Sequence, residues 1–246
     1  FEKLAEYDDE GKKANIMIMP GVGFDVAPSD CLALHLKRRL PGATHLQLAF
    51  TMSKGGLSRG TAKTALESLG SGSTVRREGK LVTIPLGEKL LEVDFGSFKT
   101  NTMNISWGDI STAWRSTDIP NIEVYIGASD QSIRYAKLSR HFNWLLRRQW
   151  VRQYLRKKIN SRKAGPSDKQ RNAGRSRLWG KVWDDRGEVR ISTLETSNGY
   201  TLTAQISVLI AEKILAGNFK PGYQTPAMAY GPDLILASEN TIRVDR

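Results

Sequence analysis

One cysteine, Cys31, and three histidines stand in 246 residues. A lone thiol excludes an internal disulfide and a cysteine-held metal cluster, and it suits a reducing compartment. Cys31 sits in an apolar helical pattern and reads as buried filler. His35, His45 and His141 lie far apart, none with a His or Cys at ligand spacing, so each reads as a packed or surface residue and no metal site is expected. No G-x-S-x-G elbow is present, which leaves a hydrolase triad without support. No apolar run approaches the ~18 residues of a membrane span, and no charged-then-apolar leader opens the chain. Together these absences predict a cytoplasmic protein. Acidic residues are nearly missing from one stretch. Residues 131–180 hold 15 Lys and Arg against the single acid Asp168, a net +14, within a chain of net charge +12. The remainder is therefore close to neutral, and the basicity belongs to one segment.

The chain opens at Phe1, already helical in character, and reads as a piece whose amino-terminal part is absent. Residues 1–13 are expected to be helical. Ile16-Met17-Ile18-Met19 is a continuous apolar run that suits a buried parallel strand. Pro20-Gly21-Val22-Gly23 then turns into a helix opened by Pro28-Ser29-Asp30, with Ser29 or Asp30 as cap, and closed at Pro41-Gly42. Leu32, Leu34, Leu36 and Leu40 fill its core side. Strands are expected over 44–52, 98–105 and 121–126, and a hairpin over 71–85 turning at Glu78-Gly79. A helical turn is expected over 107–116, and one or two long basic helices over 131–163. An antiparallel pair over 178–183 and 189–194 turns at Asp185-Arg186-Gly187. A final helix over 200–215 carries Ala204, Val208, Ala211 and Leu215 on one stripe, and an irregular tail from 217 wraps back. The fold class is α+β: a mixed sheet with long helices, preceded by the last strand and helix of a parallel α/β sheet.

Gly21-Val22-Gly23 is two thirds of a dinucleotide fingerprint, since Val26 holds the third glycine position. It is a poor phosphate loop and a better side-chain-poor turn for a cofactor ring or substrate, placed beyond the end of a strand. Gly55 and Gly60 have phosphate-loop spacing, but Thr61-Ala62 follows where Lys-Ser/Thr is required, so that reading fails. Ser58, Arg59 and Thr61 still place hydroxyls and a guanidinium where a carboxylate or phosphate could be met; an ordinary helix entry explains them equally. In residues 147–158 the apolar positions 150, 151, 154 and 155 group on one helical face among cations. That pattern fits a helix packed on its own domain, a helix on an anionic membrane or on a partner, or one along nucleic acid phosphates, the last the least favoured; a non-enzymatic lipid-surface or partner-binding module using residues 131–163 is the alternative to an enzyme.

Five motifs resemble the saccharopine dehydrogenase-like oxidoreductases, in particular the branch of trans-acting enoyl reductases. They are the run Pro20 to Asp30; Ser58-Arg59-Gly60-Thr61; Trp107-Gly108-Asp109-Ile110-Ser111-Thr112-Ala113; Ile119-Pro120-Asn121-Ile122-Glu123-Val124-Tyr125; and Gly222-Tyr223-Gln224-Thr225-Pro226-Ala227. They run in the family's order through nearly the whole chain. The resemblance implies an amino-terminal Rossmann domain that binds NAD(P) and a carboxy-terminal domain that shapes the substrate cleft. Residues 1–40 would be the remnant of the former and 41–246 the latter. Hydride would pass to a C=C or C=N bond of a small-molecule or acyl substrate. Gly21, Gly23 and Phe24 are the expected wall beside the nicotinamide. Asp25 and Asp30 are the expected proton-handling or amide-anchoring acids, with structural capping the simpler role for Asp30. Ser58, Arg59, Thr61 and Trp107 are expected on the substrate side. The cofactor's phosphates would be held elsewhere, so the chain alone is expected to bind NADPH weakly and to be inactive. A homodimer is a further expectation.

Overall fold

The computed structural model describes residues 1–53, 58–67, 71–139, 142–146, 148–161 and 165–246. Gly55 and His141, singled out above, and residue 147, which opens the basic helical range, lie outside the described residues.

Two short helices open the chain, α1 (Glu2–Ala5) and α2 (Asp8–Lys13). The acids Asp8, Asp9 and Glu10 occupy the first turn of α2, where they meet the positive end of the helix. Strand β1 is only Met17–Ile18 and pairs in parallel with β10 (Gly222–Tyr223). This corrects the expectation of a buried four-residue strand: both residues are half-buried and Ile16 is 54% exposed. Helix α3 (Ala27–Arg39) follows. Val26, not Ser29 or Asp30, precedes it as N-cap, and Pro28 stands in its first turn. The Ser29 hydroxyl donates back to the Val26 carbonyl.

The main sheet is built from β2 (His45–Ser53), β3 (Ser73–Arg77), β4 (Lys80–Ile84), β5 (Leu90–Asp94), β6 (Lys99–Asn104), β7 (Asn121–Gly127), β8 (Arg175–Trp183), β9 (Val189–Ser197) and β11 (Ile242–Asp245). Its order is β11-β9-β8-β2-β7-β3-β4, with the β5–β6 hairpin joined to the end of β7 through β6. Among the described residues only β2 and β7 pair in parallel within it, His45 opposite Asn121. The sheet is mixed, as the fold class expected. The β3–β4 turn has Glu78 and Gly79 both at positive φ, 48° and 75°, the backbone twist that a two-residue hairpin requires.

Alternation along β2 and β7 assigns the two faces. Leu46, Leu48, Phe50, Ile122 and Val124 join Leu32, Leu36, Ile110, Leu202 and Ile206 in the larger core, under α3, α5 (Asp109–Thr117) and α10 (Gly199–Leu215). Ala49, Tyr125 and Trp179 face the other way and pack with Val93 and Phe95. Cys31 is free and fully buried, as filler should be. Gly180 on β8 lets α3 sit close: a Cβ there would lie 2.5 Å from Leu36 Cδ1.

The basic segment is not one or two long helices. It comprises α6 (Asp130–Ser139), α7 (Asn143–Leu146) and α8 (Gln149–Asn160), followed by the short α9 (Asp168–Ala173). On α10 the buried stripe is Leu202, Ile206 and Ile210, whereas Ala204, Val208, Ala211 and Leu215 face solvent. The tail is ordered: after β10 come α11 (Pro226–Tyr230), a 3-10 turn at Leu234–Ala237, and β11 along the edge of β9.

Candidate functional site

The parallel pair β2 and β7 points its carboxyl ends toward one edge of the sheet, the place where open α/β sheets bind ligands. Ser58 and α4 (Arg59–Glu67) follow the end of β2 in the chain. The amino end of α10 supplies the other side, capped by the Asn198 side chain, which accepts from Tyr200 N at 3.1 Å.

Tyr200 is the residue around which the site assembles. Its hydroxyl accepts from the Ser58 backbone N–H at 2.9 Å and meets Thr61 Oγ1 at 3.4 Å. Ser58 Oγ in turn meets Thr61 Oγ1 at 3.0 Å and accepts from Thr61 N at 3.1 Å, so α4 is capped by the same serine. Partial burial pushes the Tyr200 phenol up, but the hydrogen bonds from Ser58 and Thr61 outweigh it and leave the pKa below the usual tyrosine value. Asp25 is exposed and close enough for its charge to oppose that lowering. Partial enclosure raises the Asp25 carboxyl above the ordinary carboxylate range.

An aromatic row lies behind these polar groups. The Trp107 and Phe50 rings are 4.7 Å apart, and Phe50 meets Phe24 edge-on at 6.0 Å. Trp107 is half-buried, whereas Phe24 is 8% exposed. The Phe24 ring presses on Gly199, where a Cβ would lie 3.0 Å from it. Its backbone N–H donates to Thr203 Oγ1 at 3.0 Å. Gly23 abuts the same threonine, a Cβ there lying 3.0 Å from Thr203 Cγ2; at Gly21 one would lie 2.8 Å from Val26 Cγ2. On its Cβ side the glycine turn is thus packed against protein, which makes it a poor cradle for a pyrophosphate.

The predicted residues divide accordingly. Ser58 and Thr61 meet at the Tyr200 hydroxyl, the exposed Asp25 acts on it through its charge, Trp107 packs on Phe50, and Gly21 and Gly23 are half-buried. Arg59 turns away, donating to the Asn160 carbonyl of α8 at 3.3 Å. Asp30 is fully buried and both its oxygens are engaged, by Ser116 Oγ at 2.6 Å and Ala227 N at 2.8 Å. It therefore ties α3 to α5 and to the start of α11. Burial raises its pKa to about 6, against hydrogen bonds from Ser116, Thr225 and Ala227 that lower it.

Sequence reasoning missed Tyr200, Thr203 and Asp109. Asp109 is fully buried at the start of α5, and neither carboxyl oxygen meets a donor in hydrogen-bond geometry. Burial drives its pKa well above the usual range; the nearby Ser29 hydroxyl offsets part of this, and the Asp30 and Asp25 carboxylates add to it. Among the described residues no cluster of three or more His, Cys, Asp or Glu side chains is arranged to hold a metal.

No family model matches the chain, and no curated protein does. Among solved structures it is similar to an apo histidine-tagged saccharopine dehydrogenase (L-Glu forming) from Saccharomyces cerevisiae, with a TM-score of 0.63 at 12% identity over 98% of this chain and 76% of that one. The likeness establishes a saccharopine dehydrogenase-like fold.

Proposed function

We propose that this chain forms the substrate side of an NAD(P)-linked oxidoreductase acting on a C=C or C=N bond. The observation that carries the reading is the Tyr200–Ser58–Thr61 cluster, set beside Asp25 at the carboxyl ends of the parallel strands. NAD(P), when bound, would supply the hydride. The residues of this chain supply the other half of a reduction, orientation and a proton. Tyr200, with a lowered pKa and its oxygen held by the Ser58 N–H and by Thr61 Oγ1, is the proton donor toward the acceptor atom. Asp25, with a raised pKa and open to water, restores that proton. Trp107, half-buried and packed on the buried Phe50, offers an apolar backing that excludes water from one side of the substrate. Asp30 is given an anchoring role rather than a catalytic one, since it is sealed from the crevice.

Two measurements test this. Reduced-nicotinamide absorbance is followed, in a protein that joins this chain to a dinucleotide-binding domain, with an enoyl thioester and with an imine as acceptors. Tyr200→Phe should lower turnover by about 10²-fold with little change in KM, and Asp25→Asn should remove the fall in turnover that accompanies Asp25 deprotonation as the pH rises. Turnover unaffected by both substitutions overturns the assignment. NADPH titrated against the chain, with tryptophan fluorescence as readout, should bind weakly, because the turn at Gly21 and Gly23 is filled by Val26 and Thr203. Micromolar affinity would show that the phosphates are held by this chain after all.

A further inference from the structure

Helices α6 and α8 present apolar side chains outward, where a helix packed only on its own domain would hide them. On α6, Ile133 and Ala136 are buried, yet Tyr135 is 62% and Leu138 56% exposed. Arg134 and Lys137 flank that pair, both exposed. On α8 no residue is fully buried; Val151, Leu155 and Ile159 are half-buried, consistent with one face resting on α4. Trp150 and Tyr154, one turn apart, are 65% and 64% exposed. Lys157 continues their row, with Lys158 beside it. Between the two helices Phe142 is 47% and Trp144 63% exposed. Trp144 and Trp150 are the exposed tryptophans among the described residues.

Large rings left in water in one segment of the chain, beside its concentrated positive charge, need a partner that is apolar and anionic together. Tryptophan and tyrosine favour the boundary between hydrocarbon and water, where the ring is dry and the N–H or O–H is wet. Lysine and arginine beside them meet lipid phosphates. Single-stranded nucleic acid also stacks on aromatics, but it is held in a basic groove that tracks its backbone; here the rings stand on the outward ridges of helices, accompanied by Leu138.

We propose that α6, α7 and α8 form a docking surface for an anionic lipid bilayer. The Tyr135–Leu138 and Trp150–Tyr154 rows enter the headgroup region, and Arg134, Lys137, Lys157 and Lys158 contact its phosphates. None of these side chains bonds the Tyr200 hydroxyl, and the test reads binding rather than turnover.

The test is cosedimentation of the whole chain with vesicles of phosphatidylcholine alone and of phosphatidylcholine mixed with phosphatidylserine. Binding should require the anionic lipid and weaken as salt rises. Lys157→Glu with Lys158→Glu should reduce it at least about tenfold, and Trp150→Ala with Tyr154→Ala should do the same. All four side chains are exposed, so the variants should keep the wild-type circular dichroism. Tryptophan emission should shift to the blue on binding and be quenched by brominated lipid, and lose part of that response in the aromatic variant. Failure to sediment with anionic vesicles at low salt overturns the proposal. So does a loss confined to the charge variant, which marks simple adsorption, or tighter binding to single-stranded nucleic acid through the same side chains.

Discussion

Asp109 is the least comfortable side chain in the larger core. A carboxyl with no hydrogen-bond donor avoids the cost of buried charge by keeping its proton. Its folded-state pKa is raised, while the unfolded chain titrates near 3.9. The folded protein therefore binds more protons, and this residue's contribution to stability is whole below about pH 3.9 and is lost as the pH climbs toward the folded value. Asp109→Asn removes that dependence. Its stability relative to wild type should increase between pH 4 and pH 8, reaching about 1–3 kcal/mol, as read from urea unfolding at several pH values. A difference that stays flat with pH would mean that Asp109 is ionised and paired. Asp30, with its pKa near 6, acts in the same direction and is present in both proteins. Neither behaviour was visible in the sequence: an aspartate in the first turn of a helix ordinarily complements the dipole at the surface, and only the layer of α3 over α5 seals these two in.

At the scale of elements, α3 shows how closely strand and helix are matched. Leu32 and Leu36 descend onto β8 at the one place where the strand has no side chain, Gly180. Gly180→Ala should cost about 1–3 kcal/mol, measured by the shift in the urea midpoint. Combining it with Leu36→Val should recover part of the loss, since the two share one contact. Periodicity located α3, the hairpin at Glu78-Gly79 and the β8–β9 pair, because each has turn residues at both ends and one apolar face. It failed where both faces are apolar. On α10 the row Ala204, Val208, Ala211, Leu215 reads as well as Leu202, Ile206, Ile210, and the sheet takes the second. It failed also for β5, whose residues Leu90 to Asp94 carry two acids and bury only Val93 fully. In the basic segment, positions 150, 151, 154 and 155 form one patch on a helical projection. The structure divides them, with Val151 and Leu155 half-buried and Trp150 and Tyr154 outward.

For the whole molecule, the candidate crevice was legible on one side alone. Asp25, Ser58, Thr61 and Trp107 could be selected because turns and motif edges mark them. Tyr200 could not, since it lies more than 130 residues from Ser58 in a helix whose sequence announces nothing beyond an Asn-Gly start. Its role arises from the sheet order, which carries the end of β2 to the amino end of α10. The same long reach governs the amino-terminal region. Strand β1 finds its partner β10 nearly a chain length away, Met17 beside Gly222, and Asp8 accepts from Tyr223 N at 2.7 Å. During synthesis, then, β1 stays without its strand partner until β10 has left the ribosome, although Glu2 can already reach Arg76 and Arg115.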